Sequence, residues 1–129
     1  DYFKLVGDIY EKTKCNIIGH FDLVTKFNER IPMIDINNPR YVKAYTEALD
    51  KLLKTPAIFE INTGAISRGY RTNPYPDNNM IDLIAKSGKP FAICSDTHNV
   101  ESVNCNLEAE REKLDKKGYK YIKSLLEIL

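Results

Sequence analysis

Three short apolar runs constrain this chain more than anything else: "NIIGHFD" from Asn16 to Asp22, "AIFEINT" after Pro56, and "FAICSDTH" from Phe91 to His98. Each is continuous rather than alternating, and each ends in polar residues. A strand that is apolar at successive positions is covered on both faces, which is the condition of a parallel sheet packed between helices. The segments around them supply those helices. Phe3, Val6, Ile9 and Tyr10 have helical spacing within residues 1–14. Pro39 opens a helix with Val42, Tyr45, Leu49, Leu52 and Leu53 on one face and lysines near its end. Met80, Ile81, Leu83 and Ile84 mark another from Asp77 to Ser87, stopped by Gly88, and a charged helix is expected over 107–117. Strands alternate with helices, so the expected class is α/β. With no repeat and no shift of composition, one domain is expected over 1–129.

Composition narrows the function classes. The chain carries 19 Lys and Arg against 18 Asp and Glu, so no overall field recruits nucleic acid or a membrane surface. Its apolar runs fall far short of the roughly 20 residues that span a bilayer. Cys15, Cys94 and Cys105 form no CxxC pair and cannot all pair within one chain, which suits a reducing compartment and an expected cytoplasmic location.

In parallel α/β folds, functional groups gather at the C-terminal ends of strands. Here those ends carry His20 and Asp22, then Glu60, Asn62 and Thr63, then Asp96 and His98, and both histidines of the chain are among them. Residues two apart on a strand face the same side, so Asp96 and His98, or His20 and Asp22, could converge on one point. A neutral imidazole with a carboxylate suits Zn²⁺, Mn²⁺ or Fe²⁺. The same residues also read as a capping aspartate beside a surface histidine, and as ordinary strand-end polarity. Glu60, inside an apolar run, needs a partner if buried, and Arg68 or a metal-bound histidine could be that partner. The loop "GAISRGYRTNPYP" has no acidic residue and carries Arg68 and Arg71 beside Tyr70 and Tyr75. Forked guanidinium groups bind phosphate, so the loop points to an anionic substrate, with a plain solvated loop as the alternative. Cys94 is expected to be a small buried hydrophobe rather than a nucleophile.

"IIGHFDLVTKFN", "FEINTGAISRGYRTNPYP" and "GKPFAICSDTH", in this order and separated by helices, resemble the C-terminal half of the polymerase-and-histidinol-phosphatase (PHP) superfamily, most closely its histidinol-phosphatase branch. The resemblance runs from about Asn16 to the last helix. It implies the C-terminal part of a distorted (β/α)7 TIM-like barrel holding two or three divalent metal ions at the strand ends. It implies that His20, Asp96 and His98 bind metal, that Asp96 and His98 serve catalysis, that Arg68 binds phosphate, and that Asp22, Glu60 and Asn62 line the same cavity. The implied reaction is hydrolysis of a phosphomonoester, L-histidinol phosphate above all.

The family's His-x-His motif and its middle histidines are absent, because the chain has two histidines. The chain is therefore expected to be an incomplete and inactive C-terminal portion, with an open sheet edge that invites a homodimer. Two other readings stand beside it: a PHP phosphoesterase acting on a nucleotide or sugar phosphate, and a non-catalytic remnant that binds a phosphorylated ligand or a partner chain.

Overall fold

A computed structural model describes residues 1–128, so Leu129, the last position of the expected domain, lies outside the described residues. The sheet has three strands, β1 (Ile17–Ile18), β2 (Ile58–Asn62) and β3 (Phe91–Cys94), in the order β1-β2-β3 and all parallel. Ile17 lies opposite Ile58, and Phe59 to Asn62 run in register with Phe91 to Cys94. The fold is α/β, with parallel strands alternating with helices; among the described residues the sheet is open and does not close into a barrel. Residues 120–122 flank the outer side of β3, where Phe91 N–H donates to the Lys120 carbonyl (2.9 Å) and Ile122 N–H to that of Phe91 (2.8 Å).

The continuous apolar runs are explained by the burial on both faces of β2. Phe59 and Ile61 are fully buried, as are Phe91 on β3 and Phe21 just beyond β1. Phe21 packs against Phe59 (centroids 5.7 Å apart) and against Phe3 (5.3 Å). Each such side chain contributes about 1.5–3 kcal/mol through removal from water.

The N-terminal segment is two short helices, α1 (Tyr2–Gly7) and α2 (Ile9–Thr13), rather than the single helix its spacing predicts; the chain breaks at Asp8. The break lets α1 lie close on α3 (Pro39–Leu52). A side chain at Gly7 would come within 3.2 Å of Ala48 Cα, and Asp8 accepts from Lys51 Nζ at 2.8 Å. α3 starts where Asn38 accepts from the Arg40 N–H and Pro39 takes the first turn. It buries Tyr45, Ala48, Leu49 and Leu52, while Val42, expected on the same face, is exposed. A short helical turn α4 (Gly64–Ser67) follows β2, then α5 (Asn78–Lys86), capped by Asp77, and α6 (Leu107–Lys117). No described helix is long and apolar enough to cross a membrane.

Candidate functional site

Hydrogen-bonded pairing of β1 stops at Ile18, earlier than the expected strand to Asp22, and the backbone turns at His20, where φ is +26°. Alternation therefore fails at this end. His20 is exposed, whereas Asp22 is fully buried beneath it, so the two do not converge on one point. The same holds at β3, where Asp96 has φ +46° and the chain is no longer extended. Asp96 and His98 come together through a local turn instead, with His98 Nδ1 2.8 Å from the Asp96 carbonyl oxygen.

The partner of Glu60 is neither Arg68 nor an imidazole ring. Its Oε2 accepts from the His20 backbone N–H at 2.9 Å and from Asn62 Nδ2 at 3.1 Å. Gly19 makes this approach possible, since a side chain there would sit 3.3 Å from the same oxygen. Asn62 Oδ1 accepts from the Gly64 N–H (3.0 Å), so one amide ties the end of β2 to the first turn of α4. Main-chain bonds in both directions between Asn62 and Tyr75, at 2.8 and 2.9 Å, close the arginine-bearing segment at its base.

Arg68 caps α4 and fans across the end of β3. Its Nη2 donates to Asp96 Oδ2 (2.9 Å), its Nη1 donates to the Asp96 carbonyl (2.9 Å), and Nη1 stands 3.1 Å from His98 Nδ1. That nitrogen faces both the guanidinium and the Asp96 carbonyl, and serves only one of them in a given tautomer. Desolvation raises the Asp96 carboxyl, but the hydrogen bond and charge of Arg68, joined by the Asn62 side chain, outweigh it and hold the group below its ordinary 3.8. Gly64 is required here. A Cβ at this position would lie 2.7 Å from Arg68 Nη2 and 2.9 Å from both Cβ and Oδ2 of Asp96. Both partners remain about one-third exposed, at 30 and 36 %. Cys94, expected to be buried, is exposed where β3 ends. Desolvation of the sulfur, with the nearby Glu60 charge, pushes its thiol up, so it is no activated nucleophile.

Three residues further along the same loop, Arg71 turns inward. Its Nη1 donates to Asp22 Oδ2 (3.2 Å) and Thr25 Oγ1 (2.9 Å), and its guanidinium stacks 4.4 Å over the Tyr75 ring. The Asp77 N–H also donates to Asp22 Oδ2 at 3.2 Å. Asp22 is thus a buried brace for the loop rather than part of the surface that carries Arg68. Burial raises its carboxyl despite the opposing charge of Arg71. The sequence names Tyr75 beside the arginines but gives no sign that its ring underlies Arg71 and its main chain pairs with Asn62, and it gives no role to Gly64; the only signal was their place at the two ends of the arginine loop.

Arg68, Asp96 and His98 are brought together in direct contact, with Glu60 and Asn62 linking them to His20. This surface can recognise an anion through Arg68. It does not fit a divalent metal cluster by itself: among the described residues no three His, Cys, Asp or Glu side chains group closely enough to hold an ion, and the Asp96 carboxylate is already bound to a guanidinium.

No family model matches the chain. Among curated proteins it is 30 % identical over 122 residues to a protein of Schizosaccharomyces pombe (strain 972) named "Probable histidinol-phosphatase". The alignment takes in 92 % of this chain and 39 % of that protein. The chain is thus distantly similar to this probable histidinol-phosphatase and spans about two fifths of its length.

Proposed function

We propose that these 129 residues form the phosphate-recognising wall of a phosphoric monoester hydrolase of histidinol-phosphatase type, which converts L-histidinol phosphate and water to L-histidinol and phosphate. The observation that carries this reading is the fan of Arg68 over Asp96 and His98 at the end of β3, within a stretch similar to a protein of that name. In this reading Arg68 binds the non-attacked phosphoryl oxygens through its forked donors. Asp96 holds the guanidinium in place, and His98, with Nδ1 engaged, presents Nε2 as a proton carrier for the leaving oxygen. Glu60 and Asn62 set the loop from which Arg68 reaches out. The remaining strands of a PHP-type barrel, the further ligands of a Zn²⁺, Mn²⁺ or Fe²⁺ cluster, and the rest of the pocket would come from residues beyond this chain or from a second copy paired along β1. A cytoplasmic enzyme is the corresponding expectation.

The lack of any three metal-ligating side chains together among the described residues favours a second reading, a chain that binds a phosphorylated ligand without hydrolysing it. Phosphate release separates the two. The natural protein containing these residues, supplied with Mn²⁺ or Zn²⁺, is assayed with L-histidinol phosphate and with a panel of nucleotide and sugar monophosphates. Preferred release from L-histidinol phosphate, with a raised KM in Arg68→Ala, is the expected result. Release from the panel instead would assign another phosphoesterase, binding without release would establish the second reading, and neither binding nor release would sink both.

A further inference from the structure

The loop that carries Asp96 and His98 runs from the end of β3 at Cys94 to the approach of α6 at Cys105, and little packing holds it: residues 97–101 are exposed, Val100 at 85 %. Its place is therefore set where it is tied to the rest of the molecule. Thr63 meets both of its ends. The Thr63 N–H donates to the Cys94 carbonyl (2.9 Å), and the Thr63 hydroxyl donates to the Cys105 carbonyl (2.7 Å). The same residue opens α4, for its own carbonyl accepts from the N–H groups of Ile66 (3.0 Å) and Ser67 (3.3 Å), and α4 ends at Arg68. We propose that Thr63 is a positioning residue, whose hydroxyl fixes the Asp96–His98 loop against Arg68 and so sets the geometry of the anion site. The proposal deepens the phosphatase reading and rests on it for the role of that site.

The hydroxyl is diverted from its ordinary task. A threonine that precedes a helix usually offers its side-chain oxygen to an N–H of the first turn. Thr63 makes no such cap, and the Gly64 N–H goes to Asn62 Oδ1 instead (3.0 Å). The single hydroxyl proton is thus available to another acceptor. It stands 3.4 Å from the Cys94 carbonyl but 2.7 Å from that of Cys105, so the far end of the loop is its partner. Thr63 is fully buried, and replacing its hydroxyl by a methyl group would leave the Cys105 carbonyl without this donor. The two bonds at Thr63 flank the grip of Arg68 on Asp96 and His98. A loop fixed at both ends presents Asp96 to Arg68 in one place. A loop released at Cys105 must be ordered again when a ligand binds, and that ordering costs affinity.

The test compares Thr63→Val, which keeps the shape and loses the hydroxyl, with Thr63→Ser, which keeps the hydroxyl, in the 129-residue chain. Calorimetry reads the binding of inorganic phosphate. Hydrogen exchange followed by nuclear magnetic resonance reads the Ser102 and Cys105 amides, which are hydrogen-bonded within the loop, beside those of β2 as a control for the core. Thr63→Val is expected to weaken phosphate binding about fivefold and to speed the two loop amides about fivefold, the size of one net hydrogen bond. Thr63→Ser should stay within about twofold of the wild type in both, because serine keeps the donor. Unaltered loop exchange in Thr63→Val, equal acceleration throughout β2, or a Thr63→Ser chain as loose as Thr63→Val would overturn the positioning role. So would a loosened Thr63→Val that binds phosphate as tightly as the wild type. Thr63→Ala is the hydroxyl-free variant to use should Thr63→Val not fold. A wild type that binds no phosphate, with the loop amides responding as expected, would sink the anion-site reading and leave the placement of the loop by Thr63 standing, so the two failures are distinguishable.

Discussion

Arg68 and Arg71 leave the same loop three residues apart, and each meets an aspartate, yet the two pairs are opposites in nearly every physical respect. Arg71 and Asp22 are enclosed, with side chains 5 and 1 % exposed, and Arg71 is supported by Thr25, Asp77 and the Tyr75 ring. Arg68 and Asp96 lie at the rim of the sheet with water on one side. A buried pair cannot let go of one member without stranding the other, whereas a rim pair can exchange partners at little cost. The first holds the loop in the core, and the second leaves its charged groups within reach of solvent.

The largest expected effect follows from the enclosed pair. Arg71→Ala leaves the Asp22 carboxylate buried without its counter-charge, and urea unfolding at pH 7 should show a loss of about 3–5 kcal/mol. Arg71→Met combined with Asp22→Asn should cost less than Arg71→Met alone, because no lone charge remains; equal costs would show that packing on Tyr75, not charge, holds the loop.

Next is Gly64→Ala, which presses a methyl group between Arg68 and Asp96. It should cost about 1–3 kcal/mol by overpacking and weaken phosphate binding measured by calorimetry. Unchanged binding would mean that the two partners need not touch for the site to work.

The pairs should also differ in the sign of their pH dependence. The Asp22 carboxyl is raised by burial, so its contribution is full below the ordinary value of 3.8 and is lost as pH rises through the raised folded value. The Asp96 carboxyl is lowered by Arg68, so its contribution is present above 3.8 and is lost as pH falls through the lowered folded value. Urea midpoints from pH 3 to 8 for Asp22→Asn and Asp96→Asn, each subtracted from the wild type, should therefore slope in opposite directions. Parallel slopes would place both aspartates in one kind of environment.

Smallest is the effect of Arg68→Ala on stability, expected within about 1 kcal/mol because solvent screens the pair. A loss as large as that of Arg71→Ala would erase the distinction between brace and binding group.

Much of the fold was legible beforehand. "AIFEINT" and "FAICSDTH" are apolar at successive positions because β2 and β3 are covered on both faces, and Pro39 and Gly88 mark a helix start and a helix stop. The candidate site was legible less evenly. Asp96, His98 and Arg68 do meet, but by a backbone turn at Asp96 and a reach across from α4, not by the alternation of a strand. His20 and Asp22, which share that two-residue spacing, are separated by the turn at His20, which leaves one in solvent and the other in the core. Glu60 found its partners in the His20 main-chain N–H and the Asn62 side-chain amide, and the first of these, a main-chain donor, carries no residue-type signal.

Local order along the chain sets which segments become strands and helices, because hydrophobic period and capping act over a few residues. It also places chemically capable side chains at the strand ends. Which of two like arginines is sealed in and which stays at the rim depends on residues far apart in sequence: Asp22 and Thr25 for one, Asp96 and His98 for the other. Burial is a property of the packed assembly, and it separates the enclosed ion pair from the one that water reaches.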